Sequence, residues 1–140
     1  MADQLKNNAR HADAGLSSGA GWAVPAMKWM ARTFALFIAA QVFLAGLAMF
    51  VDSDWTAHAN FARFFIIIPI LMMLVSFIAR LPVSYRVKSI QLLVMVILMF
   101  VTADLSSVIG FLSALHPVLS LAMFWITLAI ARQAAAQTTK

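Results

Sequence analysis

The sequence has no cysteine among its 140 residues. A chain without cysteine forms no disulfides, offers no thiolate to zinc or to iron–sulfur clusters, and cannot attach a c-type haem covalently. Charge is also scarce, since only 11% of the residues are Asp, Glu, Lys or Arg, against roughly 25% in an average soluble domain. The sequence has no HExxH motif, no phosphate-binding glycine loop and no hydrolase-like Ser–His–Asp spacing. These absences argue against a soluble enzyme of any of those classes.

Long apolar runs are what the chain has instead, and 64% of its residues are hydrophobic. Each run approaches the roughly 20 apolar residues that a helix needs to cross the hydrocarbon of a membrane. The first run starts too far from Met1, and is too long, for a cleaved secretory signal, so we expect it to remain as a spanning helix. The four spans are predicted at about residues 30–51, 61–79, 87–103 and 114–131.

Basic residues cluster at one set of span ends. Nine of the ten Lys and Arg residues lie at or before the start of the first span, between the second and third, or after the fourth; Arg63 is the exception. Asp52, Asp54 and Asp104 lie at the opposite ends. The positive-inside rule therefore predicts both termini in the cytoplasm. Short loops between antiparallel neighbours predict an all-α, up-down-up-down four-helix bundle in the membrane.

This organisation allows one domain. We expect a flexible cytoplasmic tail at residues 1–27, a transmembrane domain at 28–133 and a C-terminal tail at 134–140. The net charge of +5 would also suit nucleic acid. However, basic residues that flank apolar runs are typical of contact with a lipid bilayer, so we expect a lipid partner and no nucleic acid.

Two stretches of the chain, 50 residues apart, resemble each other. QVFLAGLAMFVDSDW begins at Gln41 and QLLVMVILMFVTADL at Gln91, and five of the fifteen positions are identical. A true repeat would relate two helical hairpins by a pseudo-two-fold axis along the membrane normal; a chance match between two apolar stretches is the alternative. Each glutamine begins a helical stripe, which we expect to face the bundle interior. The stripes are Gln41, Ala45, Ala48 and Asp52, and Gln91, Met95, Leu98 and Thr102.

One histidine follows each stretch, in the opening turn of the second and fourth predicted helices. Two imidazoles from facing helices at the same depth are what a six-coordinate b-type haem requires, and bundle cores hold such cofactors. We therefore expect His58 and His116 to ligate haem iron, and Arg63 to pair with a haem propionate. The remaining candidates are glutamines that hydrogen-bond in the core and a glycine that lets a flat ring approach: Gln41, Gln91 and Gly46.

The same residues allow other interpretations. Each histidine could cap a helix at the membrane interface, Arg63 could extend to lipid headgroups, and the glutamines could join helices to each other. The histidines and the three outer aspartates could also hold a zinc ion, although metal sites usually show tighter spacing.

The motifs QVFLAGLAMF and LHPVLSLAMF, with a short loop and a histidine-bearing helix between them, resemble a family of small bacterial four-span proteins of unknown function. The resemblance covers about residues 30–132. More distantly, the pattern is similar to one four-helix half of haem A synthase, which implies that His58 and His116 are axial haem ligands. The second stretch departs from the first by carrying Val96 where the first has Gly46. The resemblance also implies the bacterial cytoplasmic membrane as the location.

Three functions follow from these patterns. The first is a small membrane protein that binds haem b and transfers electrons near the outer face, with the membrane quinone pool as its partner. The second is a non-catalytic accessory or assembly subunit of a larger membrane complex, or a homo-oligomer. The third is an oligomeric transporter of a small solute.

Overall fold

The computed structural model describes residues 21–52, 54–105 and 110–138, together with Gln4. Within these ranges the chain is helical and contains no strand. The first helix, α1, continues into a π-helical turn at Ala48–Asp52, and a 3-10 turn at Gly110–Ala114 precedes the last helix. The helices are α1 (Ala23–Leu47), α2 (Thr56–Phe65), α3 (Ile67–Ile78), α4 (Val83–Asp104) and α5 (Leu115–Thr138).

Four helical segments are long and apolar enough to cross a membrane: Ala23–Val51, Thr56–Ile78, Val83–Asp104 and Leu115–Thr138. The prediction of four spans is therefore confirmed, and the chain is a multi-pass membrane protein. The first span begins at Ala23 rather than near residue 30, and the last ends at Thr138 rather than near 131, because helical turns that carry basic and polar residues extend the apolar runs. Most of the predicted tail at residues 1–27 lies outside the described residues.

The spans follow one another around the bundle. α1 packs along α5 and also contacts α2 and α3, while α4 packs against α3 and α5. The second and fourth spans are consequently diagonal to each other, and so are the first and third. This is the predicted up-down-up-down four-helix bundle.

Buried residues spaced three or four apart give each helix its inward face. On α1 they begin with Ala23, Met27 and Ala31, and on α5 they include Ala131 and Ala134. Because alanines lie on both helices, the two backbones can approach closely.

The inward face of the third span differs from the prediction. Tyr85, Leu92 and Val96 are fully buried, whereas Gln91 is exposed. The expectation that the Gln91 stripe faces the interior is therefore wrong for Gln91 and Leu98, whereas Thr102 at the end of that stripe is buried, as is Gln41 in the first span. The physical reason lies at the basic end of α4, where the buried Tyr85 ring fixes the rotation of the helix and its hydroxyl donates to Gln137 Oε1 at 3.0 Å.

The second span is interrupted at Ile66, where α2 gives way to α3. Pro69 has no N–H to donate to the carbonyl of Phe65, four residues earlier, and its ring crowds that carbonyl. The helical pattern resumes when the Ile70 N–H donates to the Ile66 carbonyl at 3.3 Å. The missing N–H and the bulk of the Pro69 ring therefore account for the interruption of the helix at Ile66.

A left-handed residue ends the second span at the basic end of the bundle. Arg80 has φ of 50°. Its N–H donates to the Phe77 carbonyl at 3.1 Å, and the Leu81 N–H donates to the Ser76 carbonyl at 3.0 Å. These two bonds form a Schellman motif, in which glycine usually occupies the left-handed position.

Candidate functional site

A cavity of about 850 Å³ lies at the end of the bundle where α2 and α5 begin. Side chains from α1, α2, α4 and α5 line it, and most are aliphatic or aromatic. Its size is within the roughly 300–1,000 Å³ of ligand sites in proteins, and an apolar wall with a few polar groups is typical of such sites. The polar residues of the lining are Gln41, His58, Arg63, Asp104, His116 and Ser120.

The two histidines meet across this cavity. His58 is the third residue of α2 and His116 is the second residue of α5. Their ring centroids are 6.4 Å apart and their planes are inclined by 53°. Since the second and fourth spans are diagonal, the pair lies across the bundle, and the structure brings together the two residues that the sequence singled out.

His58 is held by the preceding span. Its Nδ1 lies 3.1 Å from the backbone carbonyl oxygen of Gln41. A carbonyl oxygen can only accept a hydrogen bond, so Nδ1 carries the hydrogen and the lone pair of Nε2 is left for a ligand. On another side, the ring of Trp55 meets the imidazole edge-on at a centroid distance of 5.7 Å.

His116 also has its neighbour in the preceding span. Its Nδ1 lies 3.4 Å from Thr102 Oγ1, and Thr102 is 8% exposed. The sequence placed Thr102 on a helical stripe but gave it no part in the site. The signal that could have identified it is its position in the second stretch, where it aligns with Asp52 of the first.

Gln41 contributes a buried amide to the cavity wall. Its side chain is 8% exposed, and within the described part of the chain its Oε1 has no hydrogen-bond partner. A buried polar atom without a partner costs about 1–3 kcal/mol. Because Gln41 lines the cavity, a rotation of its side chain would turn this amide toward a group bound there and give it a partner.

Charge is placed around the outer part of the cavity. Arg63 and Asp104 both line it and both are exposed. Nearby, hydrogen bonds from the side chain and the backbone of Thr56 hold the pKa of Asp54 below its usual value, and the Thr56 N–H donates to Asp54 Oδ1 at 2.8 Å. Asp54 is thus a carboxylate at neutral pH, in the short segment that precedes α2.

Two of the predicted site residues are placed elsewhere. Gly46 lies on α1 but does not line the cavity, and a Cβ added to it would meet nothing within 4 Å. Gln91 is exposed on α4, away from the cavity lining. The structure therefore brings together His58, His116 and Gln41, with Arg63 at the edge, and leaves out the other two.

Within residues 21–52, 54–105 and 110–138, no three His, Cys, Asp or Glu side chains come close enough to hold a metal ion. A zinc ion generally needs three or four protein ligands. The described part of the chain consequently offers a two-histidine site, and its neighbouring aspartates do not complete a zinc site.

The fold and this site define a multi-pass, all-α membrane bundle with paired histidines in a cavity at one end. In comparison with protein families, residues 41–107 match the model of a family of unknown function (DUF6220). The matched segment includes Gln41, His58 and Arg63 and ends before His116. No curated protein and no solved structure matches the chain, so these comparisons show no likeness to haem A synthase.

Proposed function

We propose that this protein binds haem b, with His58 and His116 as the axial ligands. The observation that supports the proposal is the 6.4 Å separation of their ring centroids across one cavity. Two metal–imidazole bonds of about 2 Å, with about 1.2 Å from each ligating nitrogen to its ring centroid, place two rings roughly 6.4 Å apart. The observed spacing therefore fits one metal centre between the two rings.

The number of ligands favours haem over a bare metal ion. The porphyrin supplies four nitrogens, so the protein needs to supply only two axial groups, and histidine is a common axial ligand. A zinc ion at the same place would lack one or two ligands among the described residues. The cavity volume of about 850 Å³ and its apolar lining also suit a large flat cofactor better than an ion.

The residues around the histidines have complementary parts in this proposal. Arg63 supplies a cation for a propionate. Rotation of the Gln41 amide exchanges its oxygen and nitrogen, so the amide can donate a hydrogen bond to that propionate. When bound, haem supplies one-electron redox chemistry. The protein supplies the ligands, a largely apolar enclosure and the hydrogen bonds that orient both imidazoles.

The proposed location is the bacterial cytoplasmic membrane, with both termini in the cytoplasm. Asp54 and Asp104 lie at the histidine end of the bundle. Under the positive-inside rule the opposite end faces the cytoplasm, and the haem lies near the outer face. Electron transfer at that face, with quinone or a larger complex as the partner, is part of the proposal. The basic residues of the opposite end are Lys28, Arg32, Arg80, Arg86, Lys88 and Arg132.

The alternative proposals are an accessory subunit, which includes the homo-oligomer, and an oligomeric transporter. They have weaker support, because they rest on composition. An accessory role needs no cavity across which two imidazoles from diagonal helices meet. A transporter of this size would need its pore between copies of the chain, whereas the cavity described here lies within one copy.

The test is an absorption spectrum of the purified protein in detergent, oxidised and then reduced with dithionite, after expression with added haem. We expect a Soret band and sharp reduced α and β bands. His58→Ala and His116→Ala should each remove the low-spin bands, since each removes one of the two axial ligands. His11→Ala is the matched control, because His11 is the third histidine of the chain and is not one of the proposed ligands.

A colourless wild-type protein would refute the proposal. So would a haem spectrum that neither His58→Ala nor His116→Ala changes, since the haem would then be bound elsewhere. A spectrum lost in His11→Ala as well would point to nonspecific loss of haem and would also count against the assigned ligands.

A further inference from the structure

We propose that Thr102 is the positioning residue for His116, and that its hydroxyl holds the ring in the tautomer that leaves Nε2 free to bind a metal. This inference deepens the proposed haem function and rests on it for the identity of the ligand. It does not rest on it for the state of the imidazole, which can be measured without haem.

The argument begins with the single hydrogen of the threonine hydroxyl. Thr102 Oγ1 lies 3.0 Å from the backbone carbonyl oxygen of Met99 and donates to it, because a carbonyl oxygen can only accept. The same oxygen lies 3.4 Å from His116 Nδ1. With its hydrogen directed to Met99, the hydroxyl offers a lone pair to the ring.

The hydrogen of the imidazole must then lie on Nδ1. A neutral histidine carries one ring hydrogen, and the hydrogen bond made by one nitrogen determines what the other can do. If Nδ1–H donates to Thr102, Nε2 is unprotonated and faces away from α4 as a potential ligand. This is the arrangement already derived for His58 from the Gln41 carbonyl.

The two helical hairpins thus orient their histidines with different hydrogen-bond acceptors. In each, the span that precedes the histidine supplies the acceptor for Nδ1–H. In the first hairpin the acceptor is a main-chain oxygen of α1 at 3.1 Å, which no substitution of Gln41 removes. In the second it is a side-chain oxygen at 3.4 Å, near the long end of hydrogen-bond distances. Only the second can be deleted by mutation, and its deletion leaves the His116 ring with its contact to the Met99 backbone.

Groups that accept a hydrogen bond from a ligating histidine orient its ring and raise its basicity, and their loss typically reduces metal affinity 10–100-fold. Removing the Thr102 hydroxyl should therefore weaken haem binding by about that factor. It should also raise the midpoint potential of the bound haem, because a less basic ligand stabilises ferric iron less.

The first test uses the protein without haem. With ¹⁵N-labelled histidine, the ring nitrogen shifts in detergent micelles report the tautomer of each imidazole at a pH where the rings are neutral. Assignment uses the His58→Ala and His116→Ala variants. We expect His116 to be mainly the Nδ1–H tautomer in the wild type, to gain Nε2–H population in Thr102→Val, and to recover in Thr102→Ser, which restores the hydroxyl.

A matched control is available on α5. Thr127 is fully buried, and its hydroxyl donates to the Met123 carbonyl at 2.7 Å, as Thr102 does to Met99. Thr127 does not line the cavity. Thr127→Val makes the same chemical change as Thr102→Val, and it should leave both histidine tautomers and the haem affinity unchanged.

The second readout is haem titration and redox potentiometry of the same variants. A 10–100-fold loss of affinity in Thr102→Val, with recovery in Thr102→Ser, is the expected result. If His116 is mainly Nε2–H in the wild type, or if Thr102→Val changes neither tautomer nor affinity, the positioning role is refuted. If the tautomers respond as expected but no variant binds haem, Thr102 still positions His116, and the haem function is what fails.

Discussion

The buried amide of Gln41 leads to a prediction about stability. Its side chain is 8% exposed, and among the described residues its Oε1 has no hydrogen-bond partner. An unpaired buried polar group costs about 1–3 kcal/mol, and leucine removes that cost while filling a similar volume with apolar atoms. We expect Gln41→Leu to raise the free energy of unfolding of the haem-free protein by about 1–2 kcal/mol.

The assay is equilibrium unfolding in mild detergent titrated with sodium dodecyl sulfate, followed by circular dichroism, on protein produced without haem. Gln91→Leu is the matched control, since it makes the same change at the exposed glutamine of α4. Because Gln91 faces outward in the folded bundle, its replacement should change stability by no more than about 0.5 kcal/mol.

The sign of the effect should reverse when haem is added. If the Gln41 amide donates to the bound cofactor, Gln41→Leu removes that hydrogen bond and haem affinity falls about fivefold to tenfold, corresponding to roughly 1 kcal/mol. The reasoning is refuted if haem-free Gln41→Leu is no more stable than Gln91→Leu. That result would mean that Gln41 Oε1 already has a partner, such as a water, in the empty bundle.

Two further predictions concern the ends of the bundle. Arg80 has φ of 50°, a conformation that costs a non-glycine residue roughly 1–2 kcal/mol. Arg80→Gly should therefore stabilise the protein by about 1 kcal/mol in the same unfolding assay. Arg80→Ala removes the charge but keeps the strain and should not stabilise it, so equal gains in both variants would contradict the argument. In this cysteine-free chain, a membrane-impermeant maleimide should label Thr56→Cys in intact cells and Val83→Cys only after lysis, and the opposite pattern would reverse the proposed orientation.

Sequence reasoning located the histidine pair because helix order is simple in a short chain with four apolar runs. Loop lengths and charges are local signals, and they are enough to predict the bundle and to place His58 and His116 at one end. They do not determine how far each helix rotates about its own axis. That rotation separates Gln41, which is buried, from Gln91, which is exposed, although the two occupy equivalent positions in the two stretches.

The rotation depends on contacts between residues far apart in the chain. Tyr85 bonds to Gln137 across 52 positions, and a single sequence gives no sign of that pairing. The contact of Thr102 with His116 is of the same kind, and the only sequence signal for it was the alignment of Thr102 with Asp52 in the two stretches. Without co-varying sequences, such pairs become visible only when the helices are placed side by side.

The two ends of the bundle are held by different interactions, and this has a consequence for assembly. At the end opposite the histidines, side-chain hydrogen bonds tie three spans together: Lys88 Nζ donates to Gln133 Oε1 at 2.7 Å, Gln133 Nε2 donates to Ser84 Oγ at 2.7 Å, and Lys28 Nζ donates to Thr138 Oγ1 at 3.3 Å. None of these residues lines the cavity. The helices can therefore align through contacts that do not involve the cavity. The bundle can then assemble before a membrane-soluble ligand occupies the cavity at the other end.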